Sequence, residues 1–198
     1  MGRPWPRLAY LSAQDEDVPD EFLARAALAG DMRAVEELFR RYEPPIVRYL
    51  QRLTRNSEIA VDLFQDTFLR AYVNLGVYDS RRPFRPWLYR IATNLGLDWL
   101  RHRTPALPAG GGPEAPPSVE AVVVARDLAR QVEQAVAELA DDHRTVFLLR
   151  HYQQLGYAEI AQIVGSPEGT VRSRMHHSLR ILREKLRYLL EEDDDDAL

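Results

Sequence analysis

The sequence predicts an all-α protein: two small helical domains joined by a flexible Pro/Gly-rich linker, the second carrying a helix-turn-helix. Three observations carry that prediction. Apolar residues recur at spacings of three and four through most of the chain, and no convincing alternation of apolar and polar residues occurs. The helical pattern breaks at TPALPAGGGPEAPPS, residues 104–118, whose five prolines and three glycines exclude a helix or a central strand. Finally, residues 155–182 hold two short helical patterns that meet at a glycine turn. The expected organisation is an N-terminal tail (1–19), a first domain (20–103), a linker (104–118), a second domain (119–190) and an acidic tail (191–198). A chain of 198 residues, 45% hydrophobic, is long enough to build two small cores.

In the first domain helices are expected at 20–29, 31–54, 57–75 and 84–102. Pro44 and Pro45 should interrupt or kink the second, because each removes a backbone donor. In SEIAVDLFQDTFLRAY, residues 57–72, Ser57 is a suitable N-cap, and Ala60, Leu63, Phe64, Thr67, Phe68 and Ala71 fall on an inward face. That phase turns Asp62, Gln65 and Asp66 outward as one patch. Two like charges at i and i+4 weaken a helix by a few tenths of a kcal/mol, so the patch is either a solvated face or a seat for a basic partner.

The fourth helix lies in RRPFRPWLYRIATNLGLDWLRHR, residues 81–103, where Arg81, Arg82, Arg85, Arg90, Arg101 and Arg103 face one acid, Asp98. Phe84, Trp87, Tyr89 and Trp99 are interleaved with the charge. Aromatic faces between cations are how proteins hold unpaired bases, at ~1–3 kcal/mol per stacked base. Trp87, Ile91 and Leu95 also recur at a core spacing, so packing is the competing account of Trp87.

In the second domain helices are expected at 119–139, 141–152, 156–164 and 167–190. Ile160, Ala161, Ile163 and Val164 give the third an apolar face, Gly165 supplies the positive φ that ends it, and Ser166 and Pro167 suit the cap and first position of the next. In that last helix Val171, Met175, Leu179, Leu182 and Leu186 form the expected core side. Ser173, His176, His177 and Arg180 lie opposite, flanked by Arg172 and Arg174. An apolar back with an Arg-rich front suits the DNA major groove, although solvated helices share that pattern. Residues 165–190 carry six basic residues against two acidic ones, which favours nucleic acid.

The formal charge of −4 conceals this basic body. EEDDDD, residues 191–196, contributes −6 and residues 1–20 contribute −2, leaving +4 for the rest. Only Lys185 among the 26 basic residues is lysine. With no cysteine, disulfides, Cys-ligated zinc and thiol switches are excluded. The N-terminus lacks the apolar core of a signal peptide and no 18-residue apolar run occurs, so a cytoplasmic protein without membrane insertion is expected. No G-x-S-x-G, P-loop or H-E-x-x-H is present, and His176 and His177 diverge by about 100° on a helix. Neither catalysis, a metal nor a cofactor is expected.

DLFQDTFLRAY, then FRPWLYRIATNLGLDWLRHR, a Pro/Gly linker and YAEIAQIVGSPEGTVRSRMHHSL together resemble the bacterial sigma factors of the extracytoplasmic-function group, over residues 22–103 and 128–187. The resemblance implies an alternative sigma factor that binds core RNA polymerase (its β′ and β subunits), directs it to promoter DNA and nucleates melting. It implies that Asp62, Gln65 and Asp66 dock on the β′ clamp helices. It places Arg82, Arg85, Trp87, Tyr89, Arg90, Asn94 and Arg101 at the −10 element, and Arg172, Ser173, Arg174, His176 and His177 at the −35 element. An anti-sigma factor is an implied partner, and the linker is expected to thread along polymerase channels. His177 stands where the family commonly has Arg, and the EEDDDD tail is not part of the family's pattern. From the residues alone two rivals remain: a stand-alone helix-turn-helix regulator, and a sigma-like adaptor that binds polymerase without promoter activity.

Overall fold

The computed structural model describes residues 18–102 and 120–187, so the linker, the acidic tail and all but the last two residues of the expected N-terminal tail lie outside the described residues. The helices are α1 (Asp20–Leu28), α2 (Met32–Thr54), α3 (Ser57–Val73), α4 (Phe84–His102), α5 (Glu120–Ala137), α6 (Asp141–Phe147), α7 (Tyr157–Val164) and α8 (Glu168–Lys185). A 3₁₀ turn, Leu75–Val77, follows α3, and a π-helical turn, Leu148–Tyr152, continues α6. The described residues contain no strand.

Helix α2 is the spine of the first half. Ala34, Leu38, Tyr42, Ile46, Tyr49, Leu50 and Leu53 are all buried along one seam, against which α1, α3 and α4 pack. Contrary to the expected interruption, α2 runs unbroken through Pro44 and Pro45. Full burial of Ile46, Tyr49 and Leu50 just beyond them stabilises the helix by more than the missing N–H groups cost, at about 1.5–3 kcal/mol per aliphatic or aromatic side chain. The helix is closed by Arg55 in the left-handed region (φ 61°), and α3 begins two residues later at Ser57. Asn56 rather than Ser57 is the N-cap there: its Oδ1 accepts the Ile59 N–H at 3.0 Å.

Helix α4 crosses α2 closely at Gly96, where a Cβ would stand 2.7 Å from Leu53 Cδ2 and 3.3 Å from Leu50 Cδ2. Its buried face is Phe84, Leu88, Ala92 and Leu95, one position out of phase with the expected Trp87, Ile91 and Leu95; Trp87 and Ile91 sit half-buried at the edge. The buried Tyr49 hydroxyl and Thr93 Oγ1 satisfy each other at 2.8 Å, and Glu21 of α1 accepts the Phe84 N–H at 2.9 Å, capping α4.

In the second half, Arg144 is 3% exposed and serves as an internal cap for α5. It donates to the carbonyls of Ala137 (2.9 Å) and Leu139 (3.0 Å) and to the Asp141 carboxylate (2.5 Å). Gly165 adopts φ +64° as expected, with the Ser166 N–H donating to the Ala161 carbonyl at 3.1 Å in a Schellman closure. Ser166 does not cap α8. Pro167 occupies the cap position (φ −57°, ψ 146°) and its carbonyl accepts the Thr170 and Val171 N–H groups. The α8 seam is Val171, Met175, Ser178 and Leu182, not the expected set containing Leu179, which is 45% exposed. On a helix Leu179 stands roughly 80° from Val171 whereas Ser178 stands within roughly 20°. Ser178 tolerates burial because its hydroxyl donates to the Arg174 carbonyl at 2.8 Å.

The two halves are not independent in this structure: α4 packs on α7, and α2 reaches α6 and the π-turn.

Two glycine substitutions test this packing with opposite signs. Gly96→Val should destabilise by about 1–3 kcal/mol in urea unfolding because Leu50 and Leu53 must give way. Gly169→Ala, where a Cβ meets open space in α8, should stabilise by about 0.5–1 kcal/mol.

Candidate nucleic-acid interface

Three surfaces carry the candidate residues. On α3, Asp62, Gln65 and Asp66 are all exposed on one side, as expected. The helical stripe continues into residues that the sequence reading passed over, Leu69 (61% exposed) and Val73 (71%). Large apolar groups stand in water at i+7 and i+11 from Asp62, so the stripe is acidic in its first half and apolar in its second. Their signal in the sequence was an apolar pair out of phase with the core residues Leu63, Phe64 and Thr67.

On α4 the candidates divide between two sides. Trp87, Arg90, Asn94 and Arg101, spaced three, four and seven apart, share one stripe; Arg90, Asn94 and Arg101 are exposed and Trp87 is half-buried. Arg101 pairs with Asp98 at 2.5 Å. The Trp87 ring lies 4.9 Å from Tyr78 and 5.4 Å from the buried Phe84, a small aromatic group beside the exposed Arg82. Arg85 and Tyr89 point to the other side, toward the second half of the chain. Arg85 donates to the Gln153 carbonyl at 2.7 Å, and the fully buried Tyr89 donates its hydroxyl to Gln153 Oε1 at 2.5 Å. Burial pushes the Tyr89 phenol up to about 12, Arg85 acting in the opposite sense, so Tyr89 is a neutral donor here. In this arrangement Tyr89 offers no face to a base. A count of charges along a segment cannot separate these two sides, since only helical phase does.

On α8, Ser173, His176 and Arg180 are exposed on one face, and Thr170, which the sequence reading did not select, joins them one turn earlier. Arg172 lies beside this face, held by Glu168 at 2.5 Å and over the Tyr157 ring at 4.5 Å. Arg174 is half-buried and pairs with Asp142 of α6 at 2.5 Å. His177 is half-buried, its ring 4.9 Å from His143, which is also on α6; Arg180 lies 3.0 Å from His177 Nδ1. Partial burial, then the neighbouring His177 and Arg174, hold the His143 imidazole below its usual range. The outcome is a helix with a cationic and hydroxyl-bearing front, and α7 braced behind it by Ile160 and Ile163.

Side chains of these types suit binding. Arginines and a helix N-terminus hold phosphates, hydroxyl and imidazole groups reach base edges, and half-buried aromatics can stack. No group of three or more metal-ligating side chains occurs among the described residues.

Comparison with known proteins agrees with this geometry. The pattern of Sigma-70 region 2 matches residues 38–105, and that of Sigma-70, region 4 matches residues 129–182. The ECF RNA polymerase sigma factor SigW of Bacillus subtilis is 35% identical over 173 residues, covering 81% of this chain and 92% of that protein. The ECF RNA polymerase sigma factor SigL of Mycobacterium tuberculosis is 35% identical over 174 residues, covering 84% and 94%. Among solved structures, CnrH in complex with the cytosolic domain of CnrY shares 28% identity and a TM-score of 0.64 over 88% of this chain and 98% of that one. The sigma factor RpoE of Bartonella quintana, solved with the anti-sigma factor NepR, has the same fold (TM-score 0.65, 20% identity, 77% and 96% covered). With both halves matched in order and full-length relatives at this identity, the chain belongs to the extracytoplasmic-function group of sigma-70 RNA polymerase sigma factors.

Proposed function

We propose that this protein is an alternative sigma factor that joins core RNA polymerase, brings it to specific promoters and nucleates their melting, without chemistry of its own. The observation that carries the reading is the separation of three surfaces on one fold: the α3 stripe, the outer stripe of α4 and the front of α8. A lone DNA-binding regulator has no use for an exposed acidic and apolar stripe on α3, and an adaptor has no use for α8. The β′ clamp helices and neighbouring parts of the polymerase meet Asp62, Gln65 and Asp66, with Leu69 and Val73 adding apolar contact. Asp62 and Asp66 supply the complement to a basic partner.

Trp87, Arg90, Asn94 and Arg101, with Arg82 at the start of the helix, contact the −10 element: the cations hold phosphate and the aromatic group receives unstacked bases. Arg172, Ser173, Arg174, His176 and His177 read the −35 element from the major groove, assisted by Thr170 and Arg180. The protein acts in the cytoplasm, with the nucleoid, where polymerase and promoters are. A protein antagonist of the anti-sigma type belongs to this reading, and the 28%-identical CnrH was solved with a protein partner bound.

Purified protein mixed with core polymerase and genomic fragments should produce discrete transcript 5′ ends that share two upstream elements; polymerase binding without such starts would defeat the reading. Asp66→Arg should abolish polymerase binding while leaving the melting temperature within a few degrees, because Asp66 is exposed. Arg180→Ala should lower the slope of log affinity against log salt for −35 duplex by about one, the signature of one lost phosphate contact.

A further inference from the structure

We infer that the cationic front of α8 is a seat for an acidic segment of the same chain, EEDDDD at residues 191–196, which covers it in place of DNA phosphate until duplex displaces it. The meaning of that contact rests on the sigma-factor reading, whereas the contact itself rests on charge, spacing and reach. The acidic run has no task in the proposed function and lies outside the described residues.

Pairing divides the cations of α8 into two sets. Those on the flanks already have acids: Arg172 pairs with Glu168 and Arg174 with Asp142, both at 2.5 Å, and Lys185 pairs with Glu138 of α5. Those on the front do not. Ser173, His176, Arg180 and Arg183 follow one another at spacings of three, four and three, within about 80° of arc, and all four are exposed. Among the described residues Arg180 meets the His177 ring, at 3.0 Å, rather than a carboxylate, and Arg183 has no ion pair. Glu184 stands about 40° from Arg180 on the helix and pairs with neither arginine.

This stripe runs to the end of the helix, and the chain leaves that end toward the acids. Helix α8 stops at Lys185, Leu186 closes it, and Arg187 is the last described residue. Tyr188, Leu189 and Leu190 then separate Arg187 from Glu191, close to the length over which a turn reverses a chain. From Arg183 back to Ser173 the stripe measures about 15 Å, at ~1.5 Å per residue. Six extended residues measure about 20 Å, so the run spans the stripe once direction has reversed. Charge density fits as well as length does. An extended run of acids carries one negative charge per about 3.3 Å, and one strand of duplex DNA carries one per about 3.4 Å of axis. Groups that suit a row of phosphates therefore suit this run, whose carboxylates accept charge-assisted hydrogen bonds from guanidinium.

Tethering makes such a contact effective although each exposed ion pair is weak. A segment joined by a few residues reaches the stripe at an effective concentration on the order of millimolar. Apparent duplex affinity then falls to the fraction of chains left uncovered. Nonspecific duplex, held by phosphates alone, loses its hold at that cost, while a promoter that adds base contacts keeps it.

The chain has no cysteine, so Ala197→Cys carries a single nitroxide beside the acidic run without removing an acid. In the free full-length chain at low salt, the nitroxide should broaden the amide signals of Ser173, His176, Arg180 and Arg183. Those of Arg90 and Asn94, on the exposed stripe of α4, should stay sharp. Two independent changes should abolish the broadening: neutralising the run with Glu191→Gln, Glu192→Gln, Asp193→Asn, Asp194→Asn, Asp195→Asn and Asp196→Asn, or reversing the seat with Arg180→Glu and Arg183→Glu. A short duplex of random sequence should abolish it too, as should salt at ~1 M, where screening shortens to ~3 Å. The neutralised chain should bind that duplex about fivefold more tightly if four chains in five are covered. Broadening at Arg90 and Asn94 instead, no broadening at all, or a neutralised chain that binds duplex no more tightly would overturn the proposal. So would broadening passed from a nitroxide-bearing chain to an isotope-labelled chain without one, since the contact would then join two copies. A run that covers α8 in a chain that never yields transcript starts with polymerase upholds the contact and refutes the sigma-factor reading instead.

Discussion

The apolar seam of α2 is the constraint on which the rest of the structure depends. Seven buried side chains from Ala34 to Leu53 give α1, α3 and α4 a common surface, and at Gly96 the α4 backbone comes near enough that no side chain fits between. Because packing at that density tolerates little change in volume, the rotation of α4 about its own axis is set there. That rotation decides which residues of the aromatic and arginine-rich segment face outward. The hydrogen bond between Tyr49 and Thr93 reinforces it, since neither hydroxyl can be left unpaired in a buried site.

The surfaces follow from that core by subtraction. On α3, Leu63, Phe64 and Thr67 are consumed by packing, which leaves Asp62, Gln65, Asp66, Leu69 and Val73 exposed along one stripe. On α8, Val171, Met175, Ser178 and Leu182 are consumed, and the cationic front remains. A sigma factor needs surfaces rather than a pocket, and a fold made of amphipathic helices provides one per helix at little cost to its core. Arg144 shows the same economy in the second half, where a single buried cation closes the open carbonyls of α5 and so fixes the angle at which α6 leaves it.

The two halves also meet each other, α4 packing on α7 and α2 reaching α6 and the π-turn. Tyr89 is bound through its hydroxyl and Arg85 through its guanidinium, both to one residue on an irregular turn. These polar bonds sit beside an apolar contact, since the buried side chains of the two halves form one continuous core.

The sequence by itself determined the all-α class, the order of the eight helices, the helix-turn-helix with its positive-φ Gly165 and the outward patch of Asp62, Gln65 and Asp66. Each depends on local periodicity or local capping chemistry, which the chain carries in its spacing. The family followed from the same stretches. Only the tertiary structure decided what depends on another element's position. It kept α2 whole through Pro44 and Pro45, because distant burial outweighed a local defect. It put Ser178 rather than Leu179 in the α8 seam and shifted the α4 face by one residue, because the phase of a helix is settled by what it packs against. It also separated Arg85 and Tyr89 from Trp87, Arg90, Asn94 and Arg101, which a linear count of charges treats as one group. The Gln153 contact had no local signal at all, since it joins residues 64 and 68 positions apart through a π-turn that no spacing rule announces.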